Sequence, residues 1–352
     1  MIEKLTQEAI ALLKKMISTQ SFSQEETGTA LLIEQWFSSH NIKFEREKNN
    51  VWAVNKYFDA SKKTILLNSH HDTVKPNKGY TKDPLNPEVS EGKLYGLGSN
   101  DAGGCLVSLL ATFTYFYERT DLKYNFVIVA SAEEENSGPN GLNSMLKTIP
   151  EIDFAIVGEP TLMQLAIAEK GLMVLNCEAH GTAGHAAHGI VDNAIYNAIE
   201  DINWFQTYQF PKVSDTLGKV KMTVTQIEAG NQHNVIPSNC KYVVDVRVTD
   251  AYSNQEVFEI IQSNVKSVVC PRSVRLNSSS IPKEHPIVQA GIKLGRETYG
   301  SPTLSDQAVL SCASLKLGPG QSLRSHTADE FIYINEIEEG VDLYIKILEE
   351  II

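Results

Sequence analysis

Thiol pairs are missing from this 352-residue chain: its five cysteines (Cys105, Cys177, Cys240, Cys270 and Cys312) are odd in number, scattered and never spaced C-x-x-C. That excludes a disulfide framework and a zinc site built on thiolates, and leaves reduced, mostly buried thiols. Also absent is any apolar run approaching the roughly 20 residues that cross a bilayer, so no membrane span is expected. The opening segment MIEKLTQEAIALLKKMISTQ sets Ile2, Leu5, Ala9, Leu12, Leu13, Met16 and Ile17 at helical spacing between charges. A secretion signal has a continuous apolar centre instead, so a cytoplasmic protein is expected. Positive charge is scarce, with 31 Lys and Arg against 43 Asp and Glu and a net charge of -12. Nucleic-acid binding, which needs clustered cations to displace counterions, is therefore not expected.

What is present is the balance of a globular protein, 42% hydrophobic and 21% charged. The length suits two domains, or one domain carrying an inserted second. After the N-terminal helix, apolar runs at Val51–Val54, Thr64–Leu67, Phe126–Ala130 and Ala155–Val157 read as strands, and Gly104–Tyr117 as a helix between two of them. Such alternation predicts an α/β sheet covered on both faces. Each of three strands runs into a polar cluster: SHHD after Asn68, SAEEE after Ala130 and GEPT after Val157. Open α/β sheets carry their functional groups at the carboxyl ends of strands, so these clusters should converge on one rim. From about Lys170 the pattern becomes strand Met173–Ala179, helix Val191–Tyr208, strands Lys219–Glu228 and Tyr242–Thr249, helix Asn254–Val269 and strand Ser273–Ser278. That β-α-β-β-α-β order is ferredoxin-like and brings its first and last strands together, as an insertion requires. A helix at Pro286–Tyr299, a strand at Ala313–Leu317 and a helix at Asn335–Ile352 should rejoin the first domain.

Among the polar clusters, His70, Asp72, Asp101, Glu133, Glu134, Glu159 and His326 each follow an apolar strand or sit in a glycine-rich or polar turn. Two imidazoles and several carboxylates suit a pair of zinc ions without thiolates. Three adjacent acids, Glu133 to Glu135, would repel one another unless something positive binds them. Taken singly, each residue has an ordinary structural explanation; the combination points to metal.

The segments SHHDTV, LYGLGSNDAGG, ASAEEENSG, VGEPT and RSHTADE, in this order along nearly the whole chain, resemble the motifs of the dinuclear zinc amidohydrolases, the family of acetylornithine deacetylase and succinyl-diaminopimelate desuccinylase. The resemblance implies a zinc-peptidase-like catalytic domain with a mixed sheet flanked by helices, residues 1–170 and 281–352. It also implies an inserted lid and dimerisation domain, residues 171–280, and a homodimer formed through it. It implies His70 and Glu159 on one zinc, Glu134 and His326 on the other, Asp101 bridging both, Asp72 orienting His70 and Glu133 as general base, with cobalt or manganese as possible substitutes. The chain departs from the family at Ala102-Gly103, where Met-Lys is usual, and at Ala132, where Asp precedes the paired glutamates. The second departure leaves two registers: Glu133 as base with Glu134 as ligand, preferred because Ser137 then falls where the family often has Ser, or Glu134 as base with Glu135 as ligand.

Two further stretches match. GTAGHAAH resembles the family's G-x-x-x-H turn, which makes His185 the residue that polarises the substrate carbonyl, from the partner subunit in dimeric relatives. NVIPSNCKYVVDVR makes Asn234 and Arg247 candidates for the oxyanion and the substrate α-carboxylate, Arg because its fork grips carboxylates bidentately. His188 and His233 read as structural. Ser305 and Asp306 in TLSDQAVLSCASLKLGPG look closer to the acetylornithine deacetylases than to the desuccinylases, and no Arg follows Asp306. The expected activity is hydrolysis of an N-acyl amino acid, N-acetyl- or N-succinyl-L-ornithine foremost, with diaminopimelate desuccinylation or dipeptide cleavage as alternatives. A non-catalytic dimeric binding module with a degenerate site is the rival from another class.

Overall fold

The computed structural model describes residues 1–188 and 192–352. The chain divides into two compact units, the first made of Met1–Ile167, Ser280–Tyr299 and Ser305–Ile352, the second of Ala168–Ser279 with Gly300–Leu304.

Strands rich in Val, Ile, Leu and Phe build the sheet of the first unit. Its centre is parallel: Asn125–Ser131 pairs with Thr64–His70, which pairs with Phe154–Val157, which pairs with Ala313–Lys316. Asn50–Val54 adds antiparallel outside Asn125–Ser131, and Glu45–Glu47 outside that. Because side chains alternate across a strand, the apolar runs feed two cores. Ile65, Leu67, Phe126, Ile128, Ala130, Phe154 and Ile156 face a large core under the helices Ile2–Ile17, Gly104–Phe116 and Ile334–Glu349. Leu66, Val127, Val129 and Ala155 face the opposite side, covered by Trp52, Leu142, Met145 and Ile149. Helix Gly104–Phe116 is apolar nearly all round and correspondingly buried.

Helix Thr27–Ser39 was not expected. It packs Ala30, Ile33, Trp36 and Phe37 into the large core, but no side chain caps its N-terminus, so the usual start signal is missing. The helix expected at Pro286–Tyr299 stops at Lys293, where Gly295 turns with φ 79°, and Thr298–Ser301 is a strand.

In the second unit a four-stranded antiparallel sheet has the order Lys221–Ala229, Asn239–Val248, Gly171–His180, Val268–Pro271. First and last strands of the β-α-β-β-α-β succession are thus neighbours, as its ferredoxin-like order predicts. Its core is Met173, Leu175, Cys177, Tyr242, Val244 and Val246 against Ala194, Ala198, Phe205, Val257 and Ile261 of the two helices. Helix Asn254–Asn264 opens on a capping box of Ser253 and Glu256 and ends five residues before the expected Val269. The β-branched Val268 and Val269 form the last strand in place of Ser273–Ser278, and Val269 is buried opposite Cys177. Val191, the expected start of the first helix, lies outside the described residues; the helix runs Ala194–Thr207, capped by Asn193 Oδ1 on Ile195 N at 2.9 Å. Among the described residues no helix is long and apolar enough to cross a membrane.

Candidate functional site

Parallel pairing delivers three polar clusters to one rim. His70 ends its strand level with Ser131, so Ala132–Glu135 emerges beside it, and Glu159 follows Val157 on the next strand. Asp101 lies in the turn that enters helix Gly104–Phe116. His70 is buried, and its Nδ1 is 3.0 Å from the Asp72 carbonyl oxygen. A carbonyl only accepts, so Nδ1 carries a proton and Nε2 is the nitrogen turned to the carboxylates. That Nε2 is 3.3 Å from Asp101 Oδ1, 3.8 Å from Glu159 Oε1 and 3.9 Å from Glu134 Oε2. The other oxygen of Asp101 faces a second imidazole: Oδ2 is 3.5 Å from His326 Nε2, which Glu135 Oε2 approaches at 3.0 Å. Donor atoms of His70, Asp101 and Glu159 lie within 4.8 Å of one another, as do those of Asp101, Glu135 and His326.

The acid beside His326 is therefore Glu135 and not Glu134, one residue later than the preferred register. The cause is local. Glu133 has a left-handed backbone, φ 55°, and its carboxylate accepts from Asn140 N at 3.2 Å and Asn140 Nδ2 at 2.8 Å, away from the two histidines. The N–H groups of Glu134 and Glu135 both donate to the Asp72 carboxylate at 3.1 Å, which leaves their side chains free to point to the rim. Asp72 also accepts from Ser23 Oγ at 2.7 Å, so it braces the glutamate turn besides supporting His70 through its carbonyl.

Charge is concentrated here. Burial, with repulsion from Glu159, Asp306 and Glu135, outweighs the attraction of His70 and lifts Glu134 well above the carboxylate range. Glu135 is raised chiefly by burial, although His326 opposes it. Burial alone would lower His70, but the Asp101 and Asp72 carboxylates hold it well above an ordinary imidazole. His326, hydrogen-bonded to Glu135, is raised to about 9. Glutamates pushed up and imidazoles held protonated mark a site short of positive charge, while Asp101, despite its burial, is held low by its hydrogen bond to His70 and by facing His326. An all-oxygen and imidazole donor set, with one carboxylate turned to both groups, fits a pair of divalent cations.

The remaining expected residues fall into separate places. Ser305 is buried and its Oγ accepts from Gln307 N at 3.2 Å, opening a short turn whose Asp306 accepts from Ser131 Oγ at 2.5 Å. Burial raises Asp306 to about 6. In the second unit His185 is opposite Val235, next to Asn234, and the Asn234 carbonyl accepts from Ala186 N at 3.0 Å. Arg247 stands near the far end of strand Asn239–Val248, eight residues from Asn239 and so on the order of 25 Å away along the strand. Its Nε donates to Asp245 Oδ1 at 2.8 Å and its Nη2 to Asp245 Oδ2 at 3.1 Å. Within this unit, then, His185 and Asn234 meet and Arg247 does not join them. Unforeseen contributors are Ser23, which holds Asp72, Asn77, which donates to the His326 carbonyl at 3.1 Å, and Glu330 behind Asp101.

His71 supports the rim from behind. Its Nε2 must donate to the Asn49 carbonyl at 2.9 Å, and its Nδ1 meets Thr29 Oγ1 at 2.8 Å, a hydroxyl whose one proton can serve the neutral ring or the Glu26 carbonyl at 3.0 Å. Burial lowers its pKa from 6.5 to about 4. Between those values the unfolded chain binds a proton that the folded one refuses, so stability falls as pH falls through that window. The metal-free protein should lose on the order of 3 kcal/mol by this route by pH 4. His71→Gln should flatten that part of the stability profile in chemical denaturation at pH 4 to 7; an unchanged slope would refute it.

The chain is similar to known hydrolases along nearly its whole length. A succinyl-diaminopimelate desuccinylase of Rickettsia bellii is 25% identical over 376 residues, covering 96% of this chain and 95% of that protein. An acetylornithine deacetylase of Proteus mirabilis is 27% identical over 376 residues, covering 97% and 96%. The fold is shared with a dinuclear metal-binding peptidase of the M20 family from Bacillus subtilis, with TM-score 0.74, 15% identity and 98% of both chains covered. Residues 66–350 match Peptidase family M20/M25/M40, and with the two donor groups at its sheet rim the chain belongs to that family of metal-dependent hydrolases.

Proposed function

We propose that this chain hydrolyses the amide bond of N-acylated amino acids in the cytoplasm, with N-acetyl-L-ornithine the favoured substrate, N-succinyl-L-ornithine next, and a role in arginine synthesis. The observation that carries the reading is Asp101, whose two oxygens face two different imidazoles at 3.3 and 3.5 Å. His70, Asp101 and Glu159 would hold one zinc ion, and Asp101, Glu135 and His326 the other. Zinc held by these residues would supply Lewis-acid polarisation of the amide carbonyl and a water acidic enough to lose a proton near neutral pH.

The rest is work for the chain's own residues. Glu134 takes the proton of the attacking water and later delivers it to the departing amine nitrogen, a task suited to an acid whose pKa burial has raised. Asp72 and Ser23 hold the turn from which Glu134 projects. His185 and Asn234 donate to the carbonyl oxygen as it gains negative charge, from the partner subunit of a homodimer built on the second unit. Arg247, released from Asp245, and Ser305 receive the substrate's α-carboxylate and neighbouring polar groups.

Substrate choice rests on less. Acetylornithine deacetylase and succinyl-diaminopimelate desuccinylase relatives are similarly distant. No arginine follows Asp306 to pair with the second carboxylate of a diaminopimelate substrate, which favours ornithine. Amine release from N-acetyl-L-ornithine, N-succinyl-L-ornithine and N-succinyl-L,L-diaminopimelate, with and without chelator, tests the reading. Chelator-sensitive cleavage of an ornithine compound is expected. Turnover of diaminopimelate alone would keep the chemistry and replace the substrate, and full activity in protein stripped of its metal would end the metal reading.

A further inference from the structure

Behind the rim, the turn leading into Asp101 gathers its N–H groups around a single buried carboxylate. Glu330, 2% exposed, accepts from Gly98 N at 3.0 Å through Oε2 and from Asn100 N at 2.8 Å and Asp101 N at 2.9 Å through Oε1. Its own carbonyl accepts from Gly96 N at 3.0 Å. The turn makes this convergence possible with Gly96 at φ 145° and Gly98 at φ 73°. At Gly98 a Cβ would meet Thr73 Cγ2 at 2.5 Å, so the tight turn is fixed from both sides. Backbone N–H groups converging in this way form a concave anion-binding nest, here filled by a carboxylate of the same chain.

We propose that Glu330 is a positioning residue for Asp101, and that it couples the two halves of the metal site; this rests on the two-metal reading above. The segment that carries Glu330 also carries His326, four residues earlier, and it is pinned independently. Asp329 accepts from Thr81 N at 2.9 Å, Thr81 Oγ1 at 2.5 Å and Lys82 N at 2.9 Å, and the His326 carbonyl accepts from Asn77. One short segment therefore supplies a donor of the second group and locks the backbone of the carboxylate shared by both.

A carboxylate is required by the hydrogen-bond count. Glutamine offers one acceptor atom; with it turned to Asn100 and Asp101, its amide NH2 would face the Gly98 N–H, donor against donor. Glu330→Asp keeps the charge but withdraws it by about one methylene, beyond hydrogen-bond reach of part of the nest.

The test is a cobalt(II) titration of the metal-free full-length wild type, Glu330→Gln and Glu330→Asp, read by visible absorption and bound stoichiometry. Glu118→Gln, which breaks an exposed ion pair to Lys56 away from the turn, serves as control. Both Glu330 variants should bind the second cobalt about 10- to 100-fold more weakly, with kcat lowered about as much and KM changed under about threefold. The control should match wild type. Wild-type affinity for both cobalt ions in Glu330→Gln overturns the proposal, and if that variant does not fold, the same result in Glu330→Asp does. A wild-type chain that takes up fewer than two cobalt ions defeats the two-metal reading itself, which the variants alone cannot do.

Discussion

Glu134→Gln should lower kcat about a thousandfold while leaving KM within a few-fold and metal content unchanged. The amide is nearly isosteric and can still hydrogen-bond, but it cannot accept a proton, so the loss falls on the step in which water is deprotonated. Glu133→Gln should behave quite differently. The Glu133 carboxylate is engaged with Asn140 N and Nδ2 and its backbone N–H points to Glu26 Oε1 at 3.3 Å. Replacing it should cost about 1–2 kcal/mol of stability through the Asn140 contacts and alter kcat by less than about tenfold. Steady-state kinetics and thermal melts on the two variants decide between the registers. A dead Glu133→Gln that keeps its metal, beside a Glu134→Gln that loses metal, would restore Glu133 as base and Glu134 as ligand.

That single-residue ambiguity shows where sequence reasoning stopped. His70, Asp101, Glu159 and His326 were legible because each sits where a strand or a glycine-rich turn ends, and parallel strands bring such ends to one edge. The parallel strands were legible as well, since Val, Ile and Leu runs buried on both faces have few other uses. The glutamate register was not, because it depends on the left-handed backbone at Glu133 and on two N–H groups captured by Asp72, some 60 residues away. Motif spacing carries no trace of either. Glu330 escaped for a related reason: its partners are backbone amides over 200 residues distant, and backbone amides leave no mark on composition. Helix Thr27–Ser39 lacks a capping side chain, and the end of helix Asn254–Asn264 was hidden because Val265 to Val269 can continue an apolar helix as readily as begin a strand.

Stripping the metals should abolish hydrolysis altogether and lower the melting temperature, and the size of the second effect should depend on pH. At free metal a hundredfold above Kd, each occupied site adds about 2.7 kcal/mol, several degrees for a protein of this size. The pH dependence comes from the imidazoles. Without metal, the hydrogen bond to Glu135 raises His326 from 6.5 to about 9, which outweighs its partial burial. A folded pKa above the unfolded one means that the protonated His326–Glu135 pair stabilises the metal-free protein fully below about pH 6.5 and is lost as pH rises through about 9. A cation needs the same nitrogen without its proton, so loading this site between pH 6.5 and 9 must expel one. Apparent affinity should therefore climb about tenfold per pH unit in that window and level off above it. Calorimetric zinc titrations in two buffers of different ionisation heat would count the released protons. Flat affinity from pH 7 to 9 with no proton release would mean that His326 does not bind the metal, and the second donor group would have to be rebuilt without it.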